Sequence, residues 1–236
     1  MREAIVLAGG FGTRLQAVVR DLPKPMAPLN GIPFLSYLLD ELVQGGFTHV
    51  VLSTGYRHEQ IEGYYGESYR NVSISYAREL EPLGTGGGIL NALQQVRSER
   101  AFVLNGDTLF KVDFQALDDF HRQHHAQLSV VLRHVPDTDR YGSVETDSTQ
   151  RIVRFVEKHA GRGAGFINGG IYLLEKSLFN GFRAGDAFSF EKELMEKKYE
   201  TSLFYGMSAS GYFIDIGIPE DYVRAQRELL PKSSTL

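Results

Sequence analysis

Short apolar runs at residues 4–8, 49–54 and 101–105 are each followed by glycine or polar residues. A continuous apolar run of this length is typical of a strand that is covered on both faces, as in a parallel sheet. Residues 34–44 and 86–97 lie between these runs and carry apolar side chains at three- and four-residue spacing, which predicts amphipathic helices. The alternation of strand and helix predicts an open, mainly parallel sheet with right-handed crossovers.

The second half of the chain has strand-like segments that are not separated by long helices. Strands are predicted at residues 129–135, 143–145, 152–157, 167–174 and 211–216, and helices at 190–199 and 219–230. The sequence therefore predicts an α/β fold, a Rossmann-like mixed and mainly parallel sheet flanked by helices, with a smaller antiparallel portion. We expect one domain over residues 1–230 and a frayed tail at 231–236.

Composition narrows the classes of function. The 236 residues include 42% apolar and 23% charged residues, no cysteine and a net charge of -4. The absence of cysteine excludes disulfides and thiolate metal sites and suits the cytoplasm. The acidic balance argues against a nucleic-acid partner. No apolar stretch approaches the roughly 20 residues of a membrane span, and the first apolar run is too short for a secretory signal.

Ligands of open parallel sheets bind beyond the carboxyl ends of the strands. Residues 9–14, 53–57 and 105–108 follow the predicted strands and should therefore face one crevice. A phosphate site can occupy such a crevice as a small basic pocket within an acidic surface.

A glycine-rich loop follows the first predicted strand. Gly9, Gly10 and Gly12 allow backbone amides to approach phosphate oxygens, and Arg14 adds a charge suited to a polyphosphate. The loop lacks the Gly-Lys-Ser/Thr ending of a P-loop, and Leu15 stands where the dinucleotide fingerprint requires glycine. The loop therefore predicts a phosphate site of another kind, with a tight turn and a surface arginine as the alternative.

Three further segments bear on such a site. Prolines on both sides of Lys24 restrict the backbone and help fix where the lysine points. Asp107 follows the strand at 101–105 and Asp215 ends a later one, and two carboxylates suffice for Mg²⁺ bound to a triphosphate. Helix caps or turns are the alternative for both aspartates. The glycine-rich residues 84–88 predict either close approach of a base or ribose, or a flexible turn.

Two other motifs favour structural explanations. Asp137 and Asp139 form an Asp-x-Asp pair, which invites comparison with metal-dependent glycosyltransferases, but their Pro-Asp-rich surroundings predict a solvated turn. His121, His124 and His125 lie on a predicted helix without the further ligand that a hydrolytic zinc site needs. We expect the three histidines to lie on a solvated helix face.

Taken together, these segments resemble the sugar-1-phosphate nucleotidyltransferase (pyrophosphorylase) family. The resemblance is carried, in chain order, by Leu7-Ala8-Gly9-Gly10-Phe11-Gly12-Thr13-Arg14-Leu15, Pro23-Lys24-Pro25, Asn105-Gly106-Asp107, Phe155-Val156-Glu157-Lys158, Asn168-Gly169-Gly170-Ile171-Tyr172 and Asp215-Ile216-Gly217. It implies a Rossmann-like fold that binds a nucleoside triphosphate, a sugar 1-phosphate and Mg²⁺. A homodimer is compatible with these expectations.

The resemblance also implies roles for single residues. Arg14, Lys24, Asp107 and Lys158 would be catalytic, and Asp107 and Asp215 would bind the metal. The nucleotide would contact Leu7, Gly9, Gly10, Gly12, Thr13, Arg14, Glu81, Gly84 and Thr85. The sugar 1-phosphate would contact Gly142, Glu157, Lys158 and Asn168.

Within the family, the segment from Glu81 to Gly87 is most similar to that of heptose 1-phosphate guanylyltransferases, which implies GTP as the nucleotide. Guanine needs an acceptor for its N1 and N2 hydrogens, which Glu81 or a backbone carbonyl near Leu83 would supply. Mannose-1-phosphate guanylyltransferases and N-acetylmuramate-1-phosphate uridylyltransferases have similar segments and stay open as alternatives. A non-catalytic nucleotide-sugar binding subunit is the alternative from another class.

Overall fold

The computed structural model describes residues 2–10, 15, 19, 21–139, 141–156 and 163–229. The strands are β1 Glu3–Leu7, β2 Pro28–Leu29, β3 Ile32–Pro33, β4 His49–Thr54, β5 Ser68–Tyr69, β6 Val72–Arg78, β7 Arg100–Asn105, β8 Thr108–Phe110, β9 Leu128–Val135, β10 Ser143–Thr146, β11 Ile152–Val156, β12 Gly165–Glu175, β13 Phe204–Ala209 and β14 Phe213–Asp215. The helices are α1 Phe34–Gln44, α2 His58–Tyr65, α3 Gly84–Leu93, α4 Phe114–Gln123, α5 Glu196–Lys198 and α6 Pro219–Glu228. Lys24–Met26 and Lys176–Phe179 are 3₁₀ turns, and Phe190–Met195 is π-helical. Within these described residues, every helix is too short or too polar to cross a membrane.

A ten-stranded sheet runs through the fold, with a main strand order of β11-β10-β12-β7-β1-β4-β6-β5. β7, β1, β4 and β6 are parallel, whereas β12 runs antiparallel to β7 and also pairs with β9. The carboxyl ends of the four parallel strands meet at one edge, so the loops that follow them lie close together. This mixed, mainly parallel sheet flanked by helices confirms the fold class predicted from the sequence.

Helices cover both faces of the parallel strands, because these strands are apolar on both sides. Along β1, Ala4 and Val6 pack into one apolar cluster and Ile5 into the other. α1 contributes Leu38 to the first cluster and α3 contributes Ile89 to the second. Full burial of such a side chain contributes roughly 1.5–3 kcal/mol. The strand ends that carry the polar loops are therefore held by a core on each side.

Some elements differ from the prediction in type or extent. β6 is absent from the prediction although Val72, Ile74 and Tyr76 alternate with serines along it, and α2 buries only Ile61 and Tyr65. α3 begins at Gly84, since residues 84–88 form its first turns rather than a loop. The predicted helix at 190–199 is π-helical in its first part. The predicted tail at 231–236 lies outside the described residues.

The prediction of a solvated face for the three histidines is wrong for His121. Its side chain is 1% exposed, and its ring nitrogens lie 2.9 Å from Ser129 Oγ and 3.4 Å from Glu175 Oε1. Burial, aided by the charge of Arg100, lowers the pKa of His121 to about 4, so the ring is neutral near pH 7. His121 therefore ties α4 to β9 and β12. His125 is exposed as predicted, but it lies in the turn after α4, which ends at Gln123.

Candidate active site

A cavity of about 540 Å³ opens at the carboxyl edge of the parallel strands. Its wall combines the loops that follow β1, β4, β6 and β7 with the start of α3. The lining residues are Leu7, Gly9, Gly10, Lys24, Pro25, Gly55, Tyr56, Glu79, Leu80, Glu81, Pro82, Gly84, Thr85, Asn105, Gly106, Asp107 and Glu191. The cavity therefore occupies the crevice that the strand order predicts for a ligand.

Lys24 reaches two carboxylates at this edge. Its Nζ donates to Asp107 Oδ2 at 2.5 Å and lies 3.9 Å from Asp215 Oδ1. The lysine is held by the 3₁₀ turn that follows Pro23, in which the Met26 amide donates to the Pro23 carbonyl. Only 13% of the lysine side chain is exposed, so its charge acts on near neighbours rather than on bulk water.

The two aspartates come together through backbone pairing, although they are far apart in the sequence. β8 and β14 form a two-stranded sheet in which Asp215 pairs with Thr108, and the Ile216 amide donates to the Asp107 carbonyl at 2.9 Å. The Gly106 amide donates to the Leu7 carbonyl, and a Cβ at Gly106 would collide with that oxygen. Glycine is therefore required for the turn that presents Asp107.

The cluster of Lys24, Asp107 and Asp215 has two carboxylates and one ammonium group. Burial raises the pKa of Asp215, and the nearby charge of Asp107 raises it further, against the opposing effect of Lys24. The described residues contain no group of three or more His, Cys, Asp and Glu side chains that could hold a metal alone. A triphosphate-bound Mg²⁺ needs only one or two protein carboxylates. The carboxylate oxygens of Asp107 and Asp215 are hard ligands, and the Lys24 ammonium group offsets only one of their two negative charges. The pair therefore fits such an ion.

The structure describes only part of the predicted nucleotide site. Leu7, Gly9 and Gly10 line the cavity, and a Cβ at Gly9 would approach Glu79 Oε1 to 3.0 Å. A Cβ at Gly10 would meet nothing within 4 Å among the described atoms. The predicted site residues Gly12, Thr13, Arg14, Glu157 and Lys158 lie outside the described residues.

The second glycine-rich segment forms the first turns of α3 and is therefore not a flexible turn. Gly84, with φ +70°, and Gly86 pack against Phe188, while Gly87 packs against the Asp186 carbonyl. The Gly86 amide donates to the Phe188 carbonyl at 2.9 Å. These glycines let the protein's own backbone approach α3, which explains them without a ligand.

Thr85 and Glu191 form a fixed polar pair on the cavity wall. Thr85 Oγ1 donates to Glu191 Oε2 at 2.7 Å and accepts the Phe190 amide at 2.8 Å. Glu79, also on the wall, accepts bonds from Ser53 Oγ and the Leu83 amide, both at 3.0 Å. The sequence analysis missed Glu79 and Glu191. No local motif marks Glu191, because only the packing of residues 186–191 on α3 brings it to the cavity.

Two predicted sugar-site residues, Gly142 and Asn168, are not among the residues that line the cavity. Asn168 lies in β12, where its Oδ1 accepts the Gly170 amide and its Nδ2 donates to Tyr172 Oη. Asp137 is exposed and accepts the Asp139 amide at 2.8 Å, as expected for the predicted turn.

The chain belongs to the nucleotidyl transferase family, whose match covers residues 3–232. This membership confirms the family predicted from the motifs, and the chain is a sugar-1-phosphate nucleotidyltransferase. The chain is 45% identical to D-glycero-alpha-D-manno-heptose 1-phosphate guanylyltransferase of Aneurinibacillus thermoaerophilus, over 96% of this chain and 98% of that protein.

Two further comparisons bear on the substrate. A crystal structure of HddC from Yersinia pseudotuberculosis complexed with GMP-PN matches with a TM-score of 0.86 and 36% identity, over 96% of this chain and 99% of that one. Mannose-1-phosphate guanylyltransferase of Mycobacterium tuberculosis is 38% identical over 97% of this chain, but the match spans only 64% of that protein.

Proposed function

We propose that this chain transfers GMP from GTP to D-glycero-α-D-manno-heptose 1-phosphate, giving the GDP-heptose and pyrophosphate for surface polysaccharide synthesis. The observation that carries the proposal is the Lys24 ammonium group between Asp107 and Asp215, at a cavity walled by Gly9 and Gly10. The similarity to heptose 1-phosphate guanylyltransferase over nearly the full length supports the choice of substrates. Residues 1–230 act as one domain in this proposal.

An oxygen of the sugar phosphate attacks the α-phosphorus of GTP. The bond from the α-phosphorus to the oxygen that bridges to the β-phosphate breaks, and pyrophosphate leaves with that electron pair. Both substrates are anions, so the protein contributes mainly position and charge neutralisation. The Lys24 ammonium group places its charge beside the reacting phosphates. No general base is needed, because a phosphate monoester is already ionised near neutral pH.

Asp107 and Asp215 are the residues that would hold Mg²⁺. When bound, the ion would neutralise phosphate oxygens and polarise the phosphorus that is attacked. The raised pKa of Asp215 supports this assignment, because burial and the charge of Asp107 leave negative charge that Lys24 does not fully compensate.

The remaining predicted roles rest on the resemblance. Arg14 would stabilise the leaving pyrophosphate, Lys158 would hold the incoming phosphate, and Asn168 would contact the sugar 1-phosphate. For guanine, Glu81 lines the cavity and is exposed, whereas Leu83 is not among the residues that line the cavity. Glu81 is therefore the better acceptor for the N1 and N2 hydrogens of guanine.

A pyrophosphate-release screen tests the proposed function. GTP, ATP, UTP and dTTP are each combined with the 1-phosphates of heptose, mannose, glucose and N-acetylmuramate, with and without Mg²⁺. The highest turnover is expected for GTP with heptose 1-phosphate. The highest turnover with UTP or dTTP would overturn the guanylyl assignment and leave the family intact.

Mannose 1-phosphate is the second candidate substrate, favoured by the 38% identity to the mycobacterial enzyme. Higher turnover with mannose than with heptose 1-phosphate would select it. Tight binding without turnover of any substrate pair would instead identify a non-catalytic nucleotide-sugar binding subunit. A cytoplasmic location and a homodimer belong to the proposal as well. The cysteine-free composition supports the location, and light scattering tests the dimer.

A further inference from the structure

β12 is interrupted next to Asn105, a residue of the cavity wall. Its register against β9 shifts between Asn168 and Tyr172, and Gly170 has a φ of +73°. The bulge is closed by the Gly170 amide, which donates to Asn168 Oδ1 at 3.0 Å. A bulge re-aims the side chains around it. The direction of the Asn168 amide group is therefore set locally, within the segment that the proposed function assigns to the sugar 1-phosphate.

The Tyr172 hydroxyl fixes the other end of the Asn168 amide. Asn168 Nδ2 donates to Tyr172 Oη at 2.7 Å. The Tyr172 side chain is 0% exposed, and its ring meets the Phe190 ring edge to face, with centroids 5.2 Å apart. The aromatic ring is thus held by the core while the hydroxyl group lies at the bulge.

The same bulge rests on the wall of the cavity. A Cβ at Gly170 would lie 2.9 Å from Asn105 Nδ2, so the glycine backbone packs directly on the Asn105 side chain. Asn105 lines the cavity and ends β7, immediately before the turn that carries Asp107. A change at Tyr172 is therefore transmitted to Asn168 and to the cavity wall.

We propose that Tyr172 is a positioning residue for the sugar 1-phosphate, and that its hydroxyl acts by holding Asn168 and the bulge of residues 168–171 against Asn105. This inference rests on the proposed function, because it assigns Asn168 to the sugar-phosphate half of the site. Tyr172 itself does not contact a substrate. Its buried phenol stays protonated, since burial and the charge of Glu191 raise the pKa of Tyr172.

The test compares Tyr172→Phe with Tyr65→Phe. Tyr65 is a matched control because it is also buried, at 6% exposure, and its hydroxyl lies 2.8 Å from Ser36 Oγ in a contact outside the cavity. Each substitution removes one buried hydrogen-bonded hydroxyl group, so both should lower the Tm. Tyr172→Phe should raise KM for heptose 1-phosphate about 5- to 10-fold, the loss of one hydrogen bond, and leave KM for GTP within about twofold. Tyr65→Phe should leave both KM values unchanged.

Calorimetric binding of heptose 1-phosphate, in the presence of a non-hydrolysable GTP analogue, gives a readout that does not need turnover. Its Kd should rise in Tyr172→Phe and stay unchanged in Tyr65→Phe. If Tyr172 acts through Asn168, Tyr172→Phe should add little in an Asn168→Ala background.

Three results would overturn the inference and leave the proposed function standing. They are equal binding of heptose 1-phosphate by wild type and Tyr172→Phe, equal rises in the KM values for the two substrates, and additive effects in the double variant. Wild-type protein that neither binds heptose 1-phosphate nor releases pyrophosphate would instead overturn the proposed function and the inference with it.

Discussion

The carboxylates at the two ends of the same parallel strands have opposite electrostatic environments. At the amino end, Glu3 is 2% exposed and fully supplied with donors: His49 Nδ1 lies 3.0 Å from Oε1, and the Arg97 and Ser98 amides and Ser98 Oγ bond to Oε2. At the carboxyl end, Asp107 and Asp215 share Lys24.

The pKa values reflect this difference. Burial alone would raise the pKa of Glu3, but the hydrogen bonds from His49, Ser98 and Arg97 outweigh it and lower the pKa to about 2. Burial and Asp107 instead raise the pKa of Asp215. A carboxylate that the fold satisfies contributes stability, whereas a pair that the fold leaves short of positive charge is available to a ligand.

The largest expected effect is at the carboxyl end. Lys24→Ala should lower turnover by about 10²-fold or more, as for loss of one preorganised charge in a transition state. Steady-state pyrophosphate release measures this loss. Lys111→Ala is the control, because the Lys111 side chain is 46% exposed and pairs with Glu41 at 3.5 Å. Turnover of Lys24→Ala close to that of Lys111→Ala would remove Lys24 from the mechanism.

At the amino end, Glu3→Gln should lower the free energy of unfolding by on the order of 2 kcal/mol and leave turnover unchanged. Its effect should depend on pH. The folded pKa lies below the unfolded value of about 4.3, so the stabilisation is complete above that value and is lost as pH falls toward 2. Urea unfolding between pH 3 and pH 7 measures this. An unfolding free energy with the same acid dependence in wild type and variant would contradict the assignment.

Substituting glycines in α3 and α2 tests why the start of α3, at the cavity edge, is rich in glycine. Gly87→Ala should destabilise the fold by roughly 1–3 kcal/mol, because its Cβ would overlap the Asp186 carbonyl. Gly63→Ala in α2 should stabilise it by about 0.5–1 kcal/mol, since a Cβ there meets nothing within 4 Å. Urea midpoints of the two variants should shift in opposite directions. Equal shifts would show that packing against residues 186–188 does not explain the glycine-rich segment.

The smallest effect is expected for the stability of Asp215→Asn. The variant keeps Oδ1 as acceptor for the Gly217 amide and relieves the repulsion from Asp107. Its Tm should match or slightly exceed that of wild type, although turnover falls. A clear loss of Tm would mean that the Asp215 charge stabilises the fold as Glu3 does.

Sequence patterns predicted most of the sheet, because β1, β4 and β7 are apolar runs bounded by polar residues. They also indicated Lys24, through the prolines on either side of it, and Asp107, which follows the apolar strand β7. They could not show that Asp215 reaches Asp107, since that depends on the pairing of β8 with β14.

Tertiary contacts explain the other failures. His121 has the sequence surroundings of an exposed helix face, but β9 and β12 bury it. Glu191 reaches the cavity because Gly84, Gly86 and Gly87 allow the segment before it to pack on α3. Periodicity along the chain carries no information about such contacts.

The most direct measurement compares a variant at each end of the sheet with wild type, all prepared in the same way. Turnover of GTP with heptose 1-phosphate and Tm are measured for wild type, Asp107→Asn and Glu3→Gln. The account predicts that Asp107→Asn loses about 10²-fold or more in turnover at nearly unchanged Tm, while Glu3→Gln loses Tm at unchanged turnover. Near-normal turnover of Asp107→Asn would contradict it.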